Sequence, residues 1–294
     1  MTEADVQEMF DIGTWTGPFD PEMQRRALAA LEAGRVVFFP RLSFALSPGE
    51  ARFLAPEVAG KSKNISVDPK TRQCQGTALT GKDAQLLAAM IDRFGRCATS
   101  LVQALFPQYA VALERARTSF RPVEIAGRSY SARQDDRRLH VDAFPTRPMR
   151  GRRILRLFTN VAPDETDRLW EIGEPFEPFA RHFLPKLRRP LAGSAWVMDR
   201  LGLTKGRRSR YDEMMLGLHD AGKLDETYQS QAPRAALRFP PGSTWIVYTD
   251  QALHAALGGR FALEQTFHLP AQAMARPELS PLRVLERLTG QRLV

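Results

Sequence analysis

The chain has 294 residues, 43% of them hydrophobic and 26% charged, a balance that builds a sizeable core and excludes wholesale disorder. Two cysteines, Cys74 and Cys97, neither in a CxxC pair, exclude a disulfide framework and a thiolate zinc site. The net charge of +9 favours anionic partners, and arginine is the dominant cation, which suits bidentate contacts to carboxylate or phosphate.

Residues 1–5 lack the basic and apolar regions of a secretory signal, and no apolar run approaches the ~20 residues that span a bilayer. A cytoplasmic chain is therefore expected. Residues 20–33 read as an amphipathic helix, with Asp20 as cap, Pro21 in the first turn and Gly34 at the end. A short strand follows over 35–39. Residues 81–105 read as a long helix whose stripe of Leu86, Leu87, Met90, Ile91, Phe94, Leu101, Val102 and Leu105 is expected to pack on the core.

Beyond Phe106 the texture becomes strand-like: 130–133, 153–161, 236–239, 244–249 and 261–269. Pro240-Pro241-Gly242 is a turn, and Gly258-Gly259 is a hairpin signal. Between 164 and 233 lies a charged insertion with helices expected over 187–201 and 211–228. Helices first, then strands interrupted once, predict an α+β chain around an antiparallel barrel or sandwich, folded as one domain. Its parts are a mainly helical 1–115, a β core over 116–163 and 234–270, the helical insertion 164–233, and a C-terminal helix within 271–294. Arginines and lysines cluster at Arg147, Arg150, Arg152, Arg153 and Arg156, at Arg188 and Arg189, and at Lys205, Arg207, Arg208 and Arg210.

The chemistry concentrates in His140-Val141-Asp142. On an extended segment His140 and Asp142 project to the same side. With one histidine from a distant strand they form a facial 2-His-1-carboxylate set, which leaves open positions on Fe(II). The third ligand is expected where a turn and an apolar strand end in a histidine, and residues 239–254 supply that pattern with His254. His268, on the far end of the last strand, is the rival. No Gly-rich nucleotide loop is present.

His140-x-Asp142, the strand 154–160, the strand 240–248, His254 and Arg260 follow one another in an order that resembles the Fe(II)/2-oxoglutarate-dependent dioxygenases, over about residues 130–269. That resemblance implies a double-stranded β-helix (jelly-roll) core with N-terminal helices and a helical insertion. It implies Fe(II), 2-oxoglutarate and O2 as cofactors, His140, Asp142 and His254 as metal ligands, and Arg260 on the far carboxylate of 2-oxoglutarate. Arg156, which shares a strand face with Ile154 and Phe158, is the alternative grip, and Tyr130 is placed to line the co-substrate pocket. More narrowly, residues 60–66, 140–145, 153–160, 211–212 with 218–220, and 254–257 with 262–267 resemble the bacterial Kdo 3-hydroxylase family. This implies hydroxylation of 3-deoxy-D-manno-oct-2-ulosonic acid (Kdo) at its 3-deoxy carbon, on Kdo-lipid A. Lys61, Lys63, Arg153, Tyr211 and His219 are then candidate substrate contacts. Lys61 and Lys63 also read as a solvated loop, and His219 also as a helix-packing residue.

A basic, arginine-rich chain agrees with an anionic glycolipid substrate and with peripheral attachment at the inner face of the cytoplasmic membrane. The same site acting on another anionic substrate, protein or nucleic acid, is the alternative. A non-enzymatic nucleic-acid binder has no motif to support it, so nucleic acid is not expected as a partner.

Overall fold

The structure, a computed structural model, describes residues 1–127, 131–187 and 199–294. A single turn, α1 (Glu3–Val6), precedes the first long helix, α2 (Pro21–Glu32). Asp20 caps α2 by accepting the Met23 N–H at 2.9 Å. The helix α3 (Gly81–Leu105) turns Leu87, Met90, Ile91, Phe94, Ala98 and Leu101 onto a sheet, each 0% exposed. Each large side chain so buried contributes about 1.5–3 kcal/mol. Gly95 lies on this face because nothing larger fits: a Cβ there would stand 2.0 Å from Arg115 Nη2 and 2.5 Å from Thr118 Oγ1. At that point helix and sheet close on a polar cluster in which Thr118 and Arg115 both donate to Gln265 Oε1.

Among the described residues, eleven strands form two sheets. They are β1 (Gln7–Met9), β2 (Val36–Phe39), β3 (Ile65–Val67), β4 (Cys74–Gln75), β5 (Glu114–Arg121), β6 (Arg152–Asn160), β7 (Arg168–Gly173), β8 (Arg234–Phe239), β9 (Thr244–Tyr248), β10 (His254–Gly258) and β11 (Ala262–Pro270). The large sheet has the order β1–β2–β9–β6–β11–β5–β3–β4 and the small one β10–β7–β8. All pairs are antiparallel except β1 with β2. One face of the large sheet, with Leu155, Leu157, Leu263 and Phe267, packs on α2 and α3. The opposite face carries Phe158, Trp245 and Val247, which pack with Trp170 and Leu237 of the small sheet. Two sheets with a core between them and helices over one outer face make the expected jelly roll.

Several local expectations change. The turn at 258–259 is not a hairpin: like the expected turn at 240–242, which joins β8 to β9, it carries the chain from the small sheet to the large one, β10 to β11. The insertion is not wholly helical, because β7 lies within it and is the central strand of the small sheet. Strand β5, unread in the sequence, lies between β11 and β3. Residues 132–134 form a 3-10 turn rather than a strand. After α4 (Phe176–Phe183), most of the helix expected over 187–201 lies outside the described residues. The helix expected over 211–228 is two, α5 (Arg210–Leu224) and α6 (Glu226–Gln231), divided at Asp225, whose carboxylate accepts the Tyr228 N–H at 2.9 Å. The C-terminal helix is α7 (Pro281–Thr289).

Candidate metal centre

His140 and Asp142 lie on an extended segment that docks against β10 and the turn before it. His140 and His254 exchange both backbone hydrogen bonds, at 3.1 and 2.9 Å, and the Asp142 N–H donates to the Thr249 carbonyl at 2.7 Å. Val141, between them, points the other way into the cluster of Phe176, Phe179 and Leu253. The period-two alternation thus places both ligand side chains on one side, as the tripeptide predicts. One ligand atom from each of His140, Asp142 and His254 lies within 4.8 Å of the others.

The two imidazoles are prepared in the same way. His140 Nδ1–H donates to the Arg138 carbonyl at 2.7 Å, and His254 Nδ1–H donates to the Ala252 carbonyl at 2.9 Å. A carbonyl only accepts, so each ring carries its proton on Nδ1 and turns the Nε2 lone pair to the shared space. Burial, reinforced by the facing His254, holds His140 well below the ordinary histidine range; burial also lowers His254. Burial opposes ionisation of Asp142, but Arg156 and the two histidines outweigh it and its carboxyl is lowered. The set is therefore two neutral imidazoles and one carboxylate at neutral pH, which is what a divalent cation needs. Asp142 Oδ2 is buried and accepts no aligned hydrogen bond, although Arg156 Nη2 lies 3.0 Å away. A buried carboxylate oxygen left open beside two free Nε2 atoms fits a metal ion.

The floor of the site is aromatic. His254 stacks on Trp170 with centroids 5.3 Å apart, and Trp170 meets Phe158 edge-on at 5.0 Å. His219, on α5, sets its ring edge-on to His140 at 5.5 Å, and its Nδ1 pairs with Asp220 at 3.0 Å. The second wall is ionic. Arg156 on β6 contacts Asp142 and reaches Glu264 on β11 at 3.2 Å, and Arg121 on β5 donates to the other Glu264 oxygen at 2.7 Å. Arg156 is side-chain buried to 13% exposure and stands in a row of four charges of alternating sign, Asp142, Arg156, Glu264 and Arg121.

The other expected residues divide. Tyr211 is 2% exposed and lines a small recess with Asp142, Phe144, Met149 and Ile154. Lys63 lines a separate recess with Arg121, Asp136 and Arg168, and stands 3.5 Å from Asp136. Lys61 is exposed on its loop. Tyr130 lies outside the described residues. Arg260 is not brought to the metal: it stands in the turn between β10 and β11, 38% exposed, paired with Asp164 at 2.7 Å. Arg153 is not brought there either. It faces away from Arg156 on the same strand, is 0% exposed, and is held by Asp250 at 2.7 Å, by Gln251 at 2.7 Å and by the Tyr248 ring at 3.8 Å.

Four residues at the site were missed in the sequence: Arg121, Glu264, Trp170 and Lys223. Lys223 is 1% exposed, with Nζ 3.2 Å from the Arg133 carbonyl and 3.9 Å from Asp136. For Glu264 a signal existed, since strand alternation places it with Ala262 and Thr266 opposite Leu263 and Gln265. Lys223 gave none, because a lysine on a charged helix reads as solvated.

The sequence pattern of the 3-deoxy-D-manno-oct-2-ulosonic acid (Kdo) hydroxylase family matches residues 14–292. The crystal structure of the Kdo hydroxylase KdoO, a non-haem Fe(II) alphaketoglutarate-dependent dioxygenase, in complex with alphaketoglutarate and Fe(III), superposes with a TM-score of 0.95 at 47% identity, over 98% of this chain and 97% of that one. The KdoO complex with cobalt(II) gives a TM-score of 0.96 at 48% identity over the same shares. The complex with succinate and Fe(III) gives 0.95 at 48%. No curated protein sequence matches the chain.

Proposed function

Because the chain belongs to the Kdo hydroxylase family, we propose that it hydroxylates C3 of Kdo on Kdo-lipid A, with Fe(II), 2-oxoglutarate and O2 as co-reactants. The chain is a 2-oxoglutarate-dependent dioxygenase. The observation that carries the reading on this chain's own residues is the buried set of His140, Asp142 and His254, with both Nε2 atoms freed by Nδ1–carbonyl bonds.

When bound, Fe(II) supplies the oxidising chemistry with 2-oxoglutarate and O2, and 2-oxoglutarate leaves as succinate. The protein's part is placement. His140, Asp142 and His254 would hold the metal on one side. Arg156 would take the far carboxylate of 2-oxoglutarate, because metal binding neutralises Asp142 and leaves the guanidinium with Glu264 alone. Arg121, bonded to Glu264, keeps that carboxylate oriented. Tyr211 and His219 flank the ligands and are the residues we assign to substrate positioning; Trp170 and Phe158 keep the floor dry. Succinate release stimulated by Kdo-lipid A tests this reading. Equal release with and without Kdo-lipid A would replace the substrate and keep the oxygenase.

Arg156→Lys keeps the charge but loses the fork, and Arg156→Leu loses both. A charge-assisted hydrogen bond is worth about 1.5–3 kcal/mol, so the leucine variant is expected to raise KM for 2-oxoglutarate roughly 10–100-fold, with the lysine variant between. Titration of succinate formation against 2-oxoglutarate measures it. An unchanged KM in Arg156→Leu, with a raised one in Arg260→Leu, would return the assignment to Arg260.

No helix among the described residues is long and apolar enough to cross a membrane. Leu201 and Leu203 are 67% and 57% exposed, beside Arg200, Lys205 and Arg207. Apolar side chains among cations suit an anionic bilayer surface, where each cation contributes about 1 kcal/mol. This loop is the contact we assign to peripheral binding at the inner membrane face. Leu201→Asp with Leu203→Asp is expected to weaken binding to anionic vesicles about tenfold or more in a sedimentation assay. Unchanged sedimentation would remove the loop from the membrane contact.

A further inference from the structure

A cavity of about 310 Å³ opens between the start of β5, the end of β11 and the segment 147–152. It is distinct from the metal centre but adjoins it. Met149 and Arg152 line both this cavity and the recess in front of Asp142. Phe144 stands between the two, its ring 6.3 Å from His268 and 5.8 Å from the Arg156 guanidinium.

The lining is cationic beyond what its own carboxylates offset. Arg152 is paired with Glu114 at 2.6 Å, and Arg117 lies 3.8 Å from Asp68. The side chains of Lys70, Arg147 and Lys205 also line the cavity and form no ion pair among the described residues. Lys205 is brought there by its own backbone, whose N–H donates to the Thr146 carbonyl at 2.8 Å. His268 closes the inner end, 5% exposed, with Nδ1 buried and unpartnered. Burial and the nearby Arg152 push its pKa down to about 4, so at neutral pH the ring is neutral and its open nitrogen can serve as a hydrogen-bond partner. Unpaired cations gathered around a concave space, with an orphaned polar atom at its back, are the recognition chemistry of a phosphate group.

We propose that this cavity is a second anion site, which binds a phosphate monoester carried on a sugar or free in solution. Its volume suits a phosphorylated sugar better than phosphate alone. The link to substrate rests on the Kdo-lipid A reading above: a glycolipid with its Kdo at the metal would place a phosphorylated sugar next door, past Phe144. The loop bearing Leu201 and Leu203 ends at Lys205, so the cavity also lies beside the proposed membrane contact.

The test uses the full chain loaded with Fe(II) and 2-oxoglutarate, as parent, as Arg147→Ala with Lys70→Ala, and as Arg147→Met with Lys70→Met, which removes the charges but keeps most of the apolar stems. Two readouts are taken: KM and kcat on phosphorylated and on enzymatically dephosphorylated Kdo-lipid A, and binding of inorganic phosphate by calorimetry. The expected result is a KM raised about tenfold or more on the phosphorylated substrate in both variants, with kcat unchanged and no difference on the dephosphorylated one. Loss of inorganic phosphate binding with an unchanged KM would support the site and make free phosphate its ligand. If the parent turns over and neither readout moves in either variant, the site is overturned. If the parent fails to hydroxylate Kdo-lipid A, the substrate reading falls, and the calorimetric comparison alone decides the cavity: phosphate bound by the parent and lost in the variants supports it, and equal binding overturns it.

Discussion

His254→Ala is expected to fold, to hold no stoichiometric iron, and to hydroxylate at about a thousandth of the parent rate or less. A ligand that fixes a catalytic metal carries several kcal/mol of the barrier, and each 1.36 kcal/mol is tenfold. The fold should survive, because the bridge to His140 is made by the backbone of His254, and alanine keeps it. What is lost in the folded state is the Nδ1–H bond to the Ala252 carbonyl and the stack on Trp170, the latter worth about 0.5–1.5 kcal/mol beyond its area. Iron content after anaerobic loading, read beside a thermal melt, separates the two effects. Iron retained by His254→Ala and lost by His268→Ala would move the third ligand to His268. The structure gives His268 no such place: it pairs across from Ile154 and Glu114, at the far end of β11, beyond Phe144.

Arg153→Met is expected to cost about 3–5 kcal/mol of stability, with little direct effect on KM for either substrate. Asp250 and Arg153 are 1% and 0% exposed and pair at 2.7 Å. Removing one partner of such a pair leaves the other charge buried without compensation. Burial already pushes the Asp250 carboxyl up against the opposing pull of Arg153. Taking Asp250 away as well, in Arg153→Met with Asp250→Leu, should recover much of the loss. Urea melts of the three proteins measure it. A normal melt for Arg153→Met with a raised KM would place Arg153 at the substrate instead.

The contrast between Arg153 and Arg156 marks how far the sequence could be read. Both stand in one arginine cluster on one strand, and an odd spacing puts them on opposite faces. That parity was enough to group Arg156 with Ile154 and Phe158, and the structure agrees. The same parity set Arg153 against a substrate role, a consequence that the cluster's shared charge concealed. The candidate metal set was legible for the same reason: His140 and Asp142 need only an extended backbone to point together, and His254 needs only an apolar strand before it. Helix α2 carried a cap, and both α2 and α3 carried a 3.6-residue stripe.

What stayed hidden depends on partners distant in the chain. Strand β5 has arginines on both faces, because Arg115 turns to Asp92 and Gln265 under α3 while Arg121 turns to Glu264. No apolar alternation survives there to be counted. Strand β7 is flanked by charged loops and joins a sheet whose other members come after residue 233. The order of motifs in the resemblance put Arg260 on the co-substrate, but Gly259, with φ +98, turns the chain out to Asp164 before β11 begins.

The central claim is tested most directly by the mass of the product. The protein, loaded anaerobically with Fe(II) and 2-oxoglutarate and given Kdo-lipid A, is exposed to isotopically labelled dioxygen. The account predicts one labelled oxygen on the Kdo portion, at its 3-deoxy carbon, matched by one succinate. An unlabelled Kdo portion recovered from protein that retains iron and 2-oxoglutarate would contradict it.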